Sequence, residues 1–257
     1  MNAILVDVTK CTGCEKCVAA CIKSNDLNAQ KADYDRAVSK DGLSSNRFLS
    51  LIEVQKDHYA RKSCMHCVEP SCVSACLVGG LTKMKEGPVI YDPNKCIGCR
   101  YCMLSCPFEI PRYEWEKTSP YIKKCDMCFE RVTDGQRPAC VENCPSNVLM
   151  FGDREELLKI ARKRISKESN KYIDHIWGEK EFGGTSILYI SDVCLDELGF
   201  TKHAKESIPK MTEPVVEATP IIAASVATGL IGLNWIVNRR NKLKKEQSNN
   251  SIESEEK

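Results

Sequence analysis

Cysteine count and spacing constrain this chain more than anything else in it. Seventeen cysteines fall within 257 residues, and sixteen of them form four quartets. The first is Cys11-x2-Cys14-x2-Cys17-x3-Cys21, and the second is Cys64-x2-Cys67-x4-Cys72-x3-Cys76. The third is Cys96-x2-Cys99-x2-Cys102-x3-Cys106-Pro107, and the fourth is Cys125-x2-Cys128-x11-Cys140-x3-Cys144-Pro145. Cys194 stands apart and, lying in an apolar run, is expected to be a buried thiol.

Disulfides, structural zinc and iron–sulfur clusters all concentrate cysteine. A disulfide scaffold is usually a short secreted chain. Here the N-terminal stretch, Met-Asn-Ala-Ile-Leu-Val-Asp-Val-Thr-Lys, has no basic n-region, long apolar core or cleavage site. Zinc favours two separated C-x2-C pairs, often with histidine; His66, between Cys64 and Cys67, has no second histidine at zinc spacing. The third quartet matches the bacterial ferredoxin run C-x2-C-x2-C-x3-C-P. In that run three close thiolates wrap one cubane, and the fourth cysteine reaches a neighbouring cluster. Gly13 and Gly98 allow backbone amides close to cluster sulfur, where hydrogen bonds tune the potential.

Reciprocal ligation pairs neighbouring quartets. The second and third begin 32 positions apart, with a turn at Lys85-Glu86-Gly87-Pro88 between them. The first and fourth then pair across that inner module. The expected sites are Cys11, Cys14, Cys17 and Cys144; Cys125, Cys128, Cys140 and Cys21; Cys64, Cys67, Cys72 and Cys106; and Cys96, Cys99, Cys102 and Cys76. That makes four [4Fe–4S] clusters, which read together as an electron wire. Leu77 stands after Cys76 where a proline is usual.

The motifs Cys64-Met-His-Cys67-Val-Glu-Pro-Ser-Cys72, Cys96-Ile-Gly-Cys99-Arg-Tyr-Cys102 and Gln136-Arg-Pro-Ala-Cys140-Val-Glu-Asn-Cys144-Pro145 resemble the four-cluster β subunits of respiratory oxidoreductases. They are similar to the hydrogenase-2 iron–sulfur subunit and the formate dehydrogenase-N β subunit. The similarity extends to Gly178-Glu-Lys-Glu-Phe-Gly183-Gly184-Thr185 and covers nearly the whole chain. The resemblance implies a non-catalytic subunit that passes electrons between two partners. One is a catalytic subunit of hydrogenase or molybdopterin type; the other is an integral membrane quinone-reactive or cytochrome b subunit. It also implies a twin-arginine leader in the hydrogenase-2 members, which this N-terminal stretch lacks.

The remaining sequence fits that role. A net charge of +2 gives no field for nucleic acid. No nucleotide loop, nucleophile–base pair or open metal site is readable. Strands are expected over Arg47–Val54, in a pair across Lys83–Asp92, and over Ser186–Val193. Asp153-Arg-Glu-Glu156 is a capping box opening a helix whose apolar face is Leu157, Leu158, Ala161 and Ile165. Residues 201–220 read as a proline-bearing linker. The uncharged run Ile221–Val237, roughly 26 Å long as a helix, reads as a membrane span. Arg239, Arg240, Lys242, Lys244 and Lys245 follow it, so the positive-inside rule puts the C-terminus in the cytoplasm and the clusters outside. Ser248–Lys257 reads as a disordered polar tail.

The expected fold class is therefore α+β. Two nested ferredoxin-like modules span 1–150, with 63–112 the inner one; a helix and strand extension follows over 151–200. The linker, a single transmembrane helix over 221–238 and a basic then polar tail over 239–257 complete the chain. The alternative function is a cytoplasmic polyferredoxin subunit of another molybdenum reductase, its apolar C-terminus docked on a partner.

Overall fold

The computed structural model describes residues 1–27, 41–118, 120–200 and 206–255, with side chains as far as Lys244. Its organising element is a three-stranded sheet in the order β8-β1-β9. Strand β1 (Asn2–Asp7) is central, antiparallel to β8 (Leu149–Asp153) and parallel to β9 (Ile187–Ile190). The register sets Val6 opposite Leu149 and Ile4 opposite Ile187. The residues just before the first quartet are thereby tied to those just after the fourth.

Side-chain alternation sorts the two faces of this sheet. Ala3, Leu5, Leu188 and Ile190 pack on the buried stripe Leu157, Leu158, Ala161 and Ile165 of helix α6 (Arg154–Lys167). Ile4, Val6, Ile187 and Tyr189 face the other way, into a core shared with Cys21, Cys64, Cys125 and Cys140. The helix begins where the capping box places it. The Asp153 carboxylate accepts hydrogen bonds from the Glu155 and Glu156 amides at 3.0 and 3.4 Å.

Three hairpins separate the cysteine loops: β2–β3 (Leu49–Gln55, His58–Ser63), β4–β5 (Leu81–Lys83, Val89–Tyr91) and β6–β7 (Arg112–Tyr113, Ile122–Lys123). Short helices carry cysteines beside them: α1 (Lys16–Ser24), α2 (Ser71–Ser74), α3 (Tyr101–Leu104) and α5 (Ala139–Glu142), with α4 (Phe129–Thr133) following Cys128. Helix α1 packs on α5, and α2 on α3. A smaller core of Leu81, Val89, Cys102, Tyr113 and Ile122 holds the middle hairpins.

Lys210–Lys257 form a second compact unit, helical in helix α7 (Ile208–Glu255) as far as Glu255. The helix starts earlier and ends later than the sequence reading places it. Of the expected linker, 201–205 lie outside the described residues and Ile208–Pro220 are helical. Pro209 falls in the first turn, where its missing N–H costs nothing. Pro214 and Pro220 each remove one main-chain bond, and the turns between them stay helical. Thr219, Ser225 and Thr228 satisfy their hydroxyls on carbonyls one turn back, at 2.7–2.8 Å. The tail expected to be disordered continues the helix to Glu255, and 256–257 lie outside the described residues. Over Ile208–Lys244 this helix is long and apolar enough to cross a membrane.

Candidate iron–sulfur sites

Each quartet opens with C-x-x-C, and the residue just before the second cysteine is left-handed in all four. Its φ is +68° at Gly13, +47° at His66, +71° at Gly98 and +61° at Met127. This turns the amide back toward the preceding thiol. Gly98 N–H meets Cys96 Sγ at 3.4 Å and Met127 N–H meets Cys125 Sγ at 3.3 Å; the Gly13 amide bonds to Cys11 in the same way. Glycine accepts the conformation freely, whereas His66 and Met127 adopt it at a cost of about 1–2 kcal/mol each. His66 is held there by burial and by the Val89 amide donating to Nδ1 at 2.9 Å. Gly13 is also needed for space, because a β-carbon would stand 2.9 Å from the Tyr59 ring.

A second turn recurs three residues after the last cysteine of three quartets. Gly79, Glu109 and Asn147 have φ of +63°, +54° and +49°, and their amides donate to the carbonyls of Cys76, Cys106 and Cys144 at 3.3, 3.1 and 3.4 Å. The turn after Cys76 therefore matches its proline-bearing counterparts although Leu77 replaces the proline. Gly80 N–H adds a bond to Cys76 Sγ at 3.1 Å.

The structure brings cysteines of different quartets together. Cys11, Cys14, Cys17 and Cys144 line one cavity, and Cys21, Cys125, Cys128 and Cys140 line another. Cys64, Cys67, Cys72 and Cys106 lie within one another's electrostatic reach, as do Cys102, Cys96 and Cys99. Cys76 joins the latter group, since a β-carbon on Gly80 would stand 3.7 Å from Cys76 Sγ and 3.8 Å from Cys96 Cα. Among the described residues no three histidine, cysteine, aspartate or glutamate side chains close on a point that would hold a single ion. Thiols spread around a cavity suit a cubane, which is wider than an ion. A separate polar cleft beside Asp41, Lys62 and Arg112 has no cysteine in its wall; there Asp41 pairs with Arg112 at 2.6 Å and Lys62 at 3.3 Å.

Burial dominates the electrostatics. It pushes the Cys106 thiol up to about 11 and those of Cys17 and Cys72 up to about 12, and raises Cys21, Cys67 and Cys125 as well. Thiols so placed give up their protons only to a cationic metal core, so cluster binding and thiol deprotonation go together. Burial also pushes His66 well below its ordinary value, leaving a neutral ring, and takes Lys83 down to about 8. The Lys83 ammonium donates to the carbonyls of His66 and Gly87. Buried Lys124 donates to the carbonyls of Val89 and Cys125, beside the second quartet's Cys72.

Two residues depart from the sequence reading. Cys194 is exposed. Strand β9 ends at Ile190, yet inward and outward positions keep alternating; Val193 and Leu195 take the core and Cys194 points out. Arg61, absent from the expected set, is buried against both outer cavities. Nothing in the Arg61-Lys62 pair itself signals that burial.

Four-thiol groups in apolar cavities, with amides turned to sulfur and cations buried beside them, define a ferredoxin-type iron–sulfur electron carrier. These donors fit [4Fe–4S] cubanes. Residues 55–154 match the 4Fe-4S dicluster domain. The chain is 36% identical over 259 residues to a protein of Nitratidesulfovibrio vulgaris, covering 97% of this chain and 70% of that one. It is 35% identical to the hydrogenase-2 operon protein HybA of Escherichia coli O157:H7, covering 77% of this chain and 72% of the relative. It is 34% identical to the iron–sulfur subunit of the nitrate-inducible formate dehydrogenase of Escherichia coli K12, covering 73% and 67%. The chain belongs to this family of iron–sulfur subunits. It is an electron-transfer protein that carries [4Fe–4S] clusters.

Proposed function

We propose that the chain holds four [4Fe–4S] clusters and relays electrons between a catalytic subunit and a membrane subunit. The catalytic partner is of hydrogenase or formate dehydrogenase type, as the names of the relatives suggest. The membrane partner is quinone-reactive or of cytochrome b type. The observation that supports the reading is the crossing of thiols between quartets: Cys144 lines the cavity of Cys11, Cys14 and Cys17, and Cys21 lines that of Cys125, Cys128 and Cys140.

When bound, the clusters supply one-electron carriers whose potentials respond to net charge, hydrogen bonds and exposure. The chain's own part is to hold them. Cys11, Cys14, Cys17 and Cys144 would bind the first; Cys21, Cys125, Cys128 and Cys140 the second. Cys64, Cys67, Cys72 and Cys106 would bind the third; Cys76, Cys96, Cys99 and Cys102 the fourth. The amides of Gly13, Gly98, Met127 and Gly80 donate to ligand sulfur. Apolar walls such as Val6, Leu149, Ile4 and Ile187 exclude water from the outer pair.

Helix α7 supports a single-pass membrane anchor. The Arg239 guanidinium sits over the Trp235 ring at 5.3 Å, a pairing suited to a membrane interface, and the basic run that follows favours the cytoplasmic side. The cluster-bearing unit is then extracytoplasmic. Protease added to sealed spheroplasts is expected to cut that unit and spare the C-terminus; the opposite pattern reverses the orientation.

The stoichiometry tests the function. Full-length chain purified anaerobically is expected to hold about sixteen iron atoms and as many sulfides. Dithionite should produce the electron paramagnetic resonance of reduced cubanes. Tightly bound zinc without a reducible cluster would overturn the proposal.

A further inference from the structure

The two outer cavities share one wall residue that is neither thiol nor apolar. Arg61 lines the cavity of Cys11, Cys14, Cys17 and Cys144 and also that of Cys21, Cys125, Cys128 and Cys140. Its residue surface is 2% exposed, and its Nε and Nη1 have no hydrogen-bond partner among the described residues. No carboxylate among them pairs with it. Cys140, Tyr189, Cys125 and Cys17 lie around it, and three of those four are outer-quartet thiols.

A buried, unpaired guanidinium is too costly to persist without anionic neighbours. The other buried cations differ from it: the Lys124 ammonium is capped by main-chain carbonyls, Lys62 pairs with Asp41, and Arg47 pairs with Glu15. Among the described residues, only the thiol groups on its two sides remain as partners for Arg61. Its backbone is fixed as well. Strand pairing sets Arg61 opposite Leu51, and the Tyr189 hydroxyl donates to its carbonyl at 2.9 Å.

We infer that Arg61 is the shared counter-ion of the two outer clusters and sets their reduction potentials above those the same thiolates would give alone. This rests on the outer ligand sets proposed above. A cluster with four thiolates is anionic and gains further negative charge when it takes an electron. A fixed cation in a dry wall therefore favours the reduced form, and on both sides at once. The guanidinium cannot be deprotonated in a protein, so the bias is permanent.

The test is a potentiometric titration of the full-length, cluster-loaded protein, followed by electron paramagnetic resonance, for wild type, Arg61→Gln and Arg61→Lys. Wild-type iron content checks the ligand sets separately; a value far below about sixteen per chain would fault those sets and not Arg61. Arg61→Gln is expected to lower the reduction equilibrium constants of two clusters at least tenfold, which is 59 mV for a one-electron couple. The other two clusters should stay in place. Arg61→Lys, which keeps the charge, should move the same two clusters by less. Unchanged potentials in fully loaded Arg61→Gln would overturn the inference, as would an equal shift in all four clusters or equal shifts in both variants. If Arg61→Gln fails to load its outer clusters, Arg61→Lys decides. Full loading with a shift below tenfold upholds the counter-ion role, and failure to load refutes it.

Discussion

Replacing Asp7 with alanine is expected to destabilise the cluster-bearing unit by about 3 kcal/mol. Asp7 ends β1, and its side chain has no exposed surface. The carboxylate accepts from Thr9 Oγ1 at 2.7 Å, from Arg164 Nη1 at 3.0 Å and from the Tyr172 hydroxyl at 3.1 Å; Lys10 Nζ lies at 3.3 Å. It thus pins the central strand to helix α6 and to the segment after it. Breaking a buried ion pair costs about 3–5 kcal/mol. Here the loss is smaller, because Arg164 and Lys10 are 26% and 38% exposed and recover water. The buried Tyr172 hydroxyl recovers none and adds about 1–3 kcal/mol. Asp7→Asn keeps an acceptor oxygen and should cost about half as much, roughly 1–2 kcal/mol. For a domain of this size 3 kcal/mol is about 6–12 °C in Tm. Anaerobic thermal denaturation of the loaded chain in detergent, at one scan rate, measures it. A shift under about 2 °C for alanine, or equal shifts for alanine and asparagine, would refute the reasoning.

Two further outcomes follow from the surface. His58 donates to the Lys56 carbonyl and pairs with Asp192 at 3.0 Å, and both contacts raise its pKa. The folded form binds the proton more tightly, so this stabilisation is complete below the unfolded pKa of about 6.5 and is lost as pH rises through the folded value. Wild type should therefore melt above Asp192→Asn at about pH 6, with the gap closing by about pH 8; a gap independent of pH would contradict the pairing. Cys194 is exposed and outside every thiol group, whereas Cys14 is exposed but belongs to one. Maleimide should therefore label the loaded protein once, and Cys194→Ser should abolish labelling without loss of iron; labelling that survives the substitution would show an open quartet.

Local signals were the readable ones. The capping box at Asp153, the buried stripe Leu157, Leu158, Ala161 and Ile165, and the hairpin around Gly87 are all encoded within a few residues and stand as read. The cysteine spacing carried the sites, because each C-x-x-C loop is a local turn. What the sequence hid depends on partners far along the chain. The burial of Arg61 arises only when the β2–β3 hairpin and β9 close over it. The exposure of Cys194 depends on where β9 stops, and its apolar neighbours Val193 and Leu195 disguise it. The helical start at Ile208 was masked by three prolines, of which Pro209 falls in the first turn.

The central claim is the exchange of ligands between quartets, and Cys21→Ser tests it most directly. Cys21 follows Cys17 on the same helix, yet its side chain lines the cavity of Cys125, Cys128 and Cys140. Spectra of the reduced, loaded protein are compared for Cys21→Ser, Cys128→Ser and Cys14→Ser. Cys21→Ser and Cys128→Ser are predicted to lose or alter the same cluster signal, and Cys14→Ser a different one. If Cys21→Ser instead loses the signal that Cys14→Ser loses and leaves the Cys128 signal intact, each quartet binds its own cluster and the nested account is wrong.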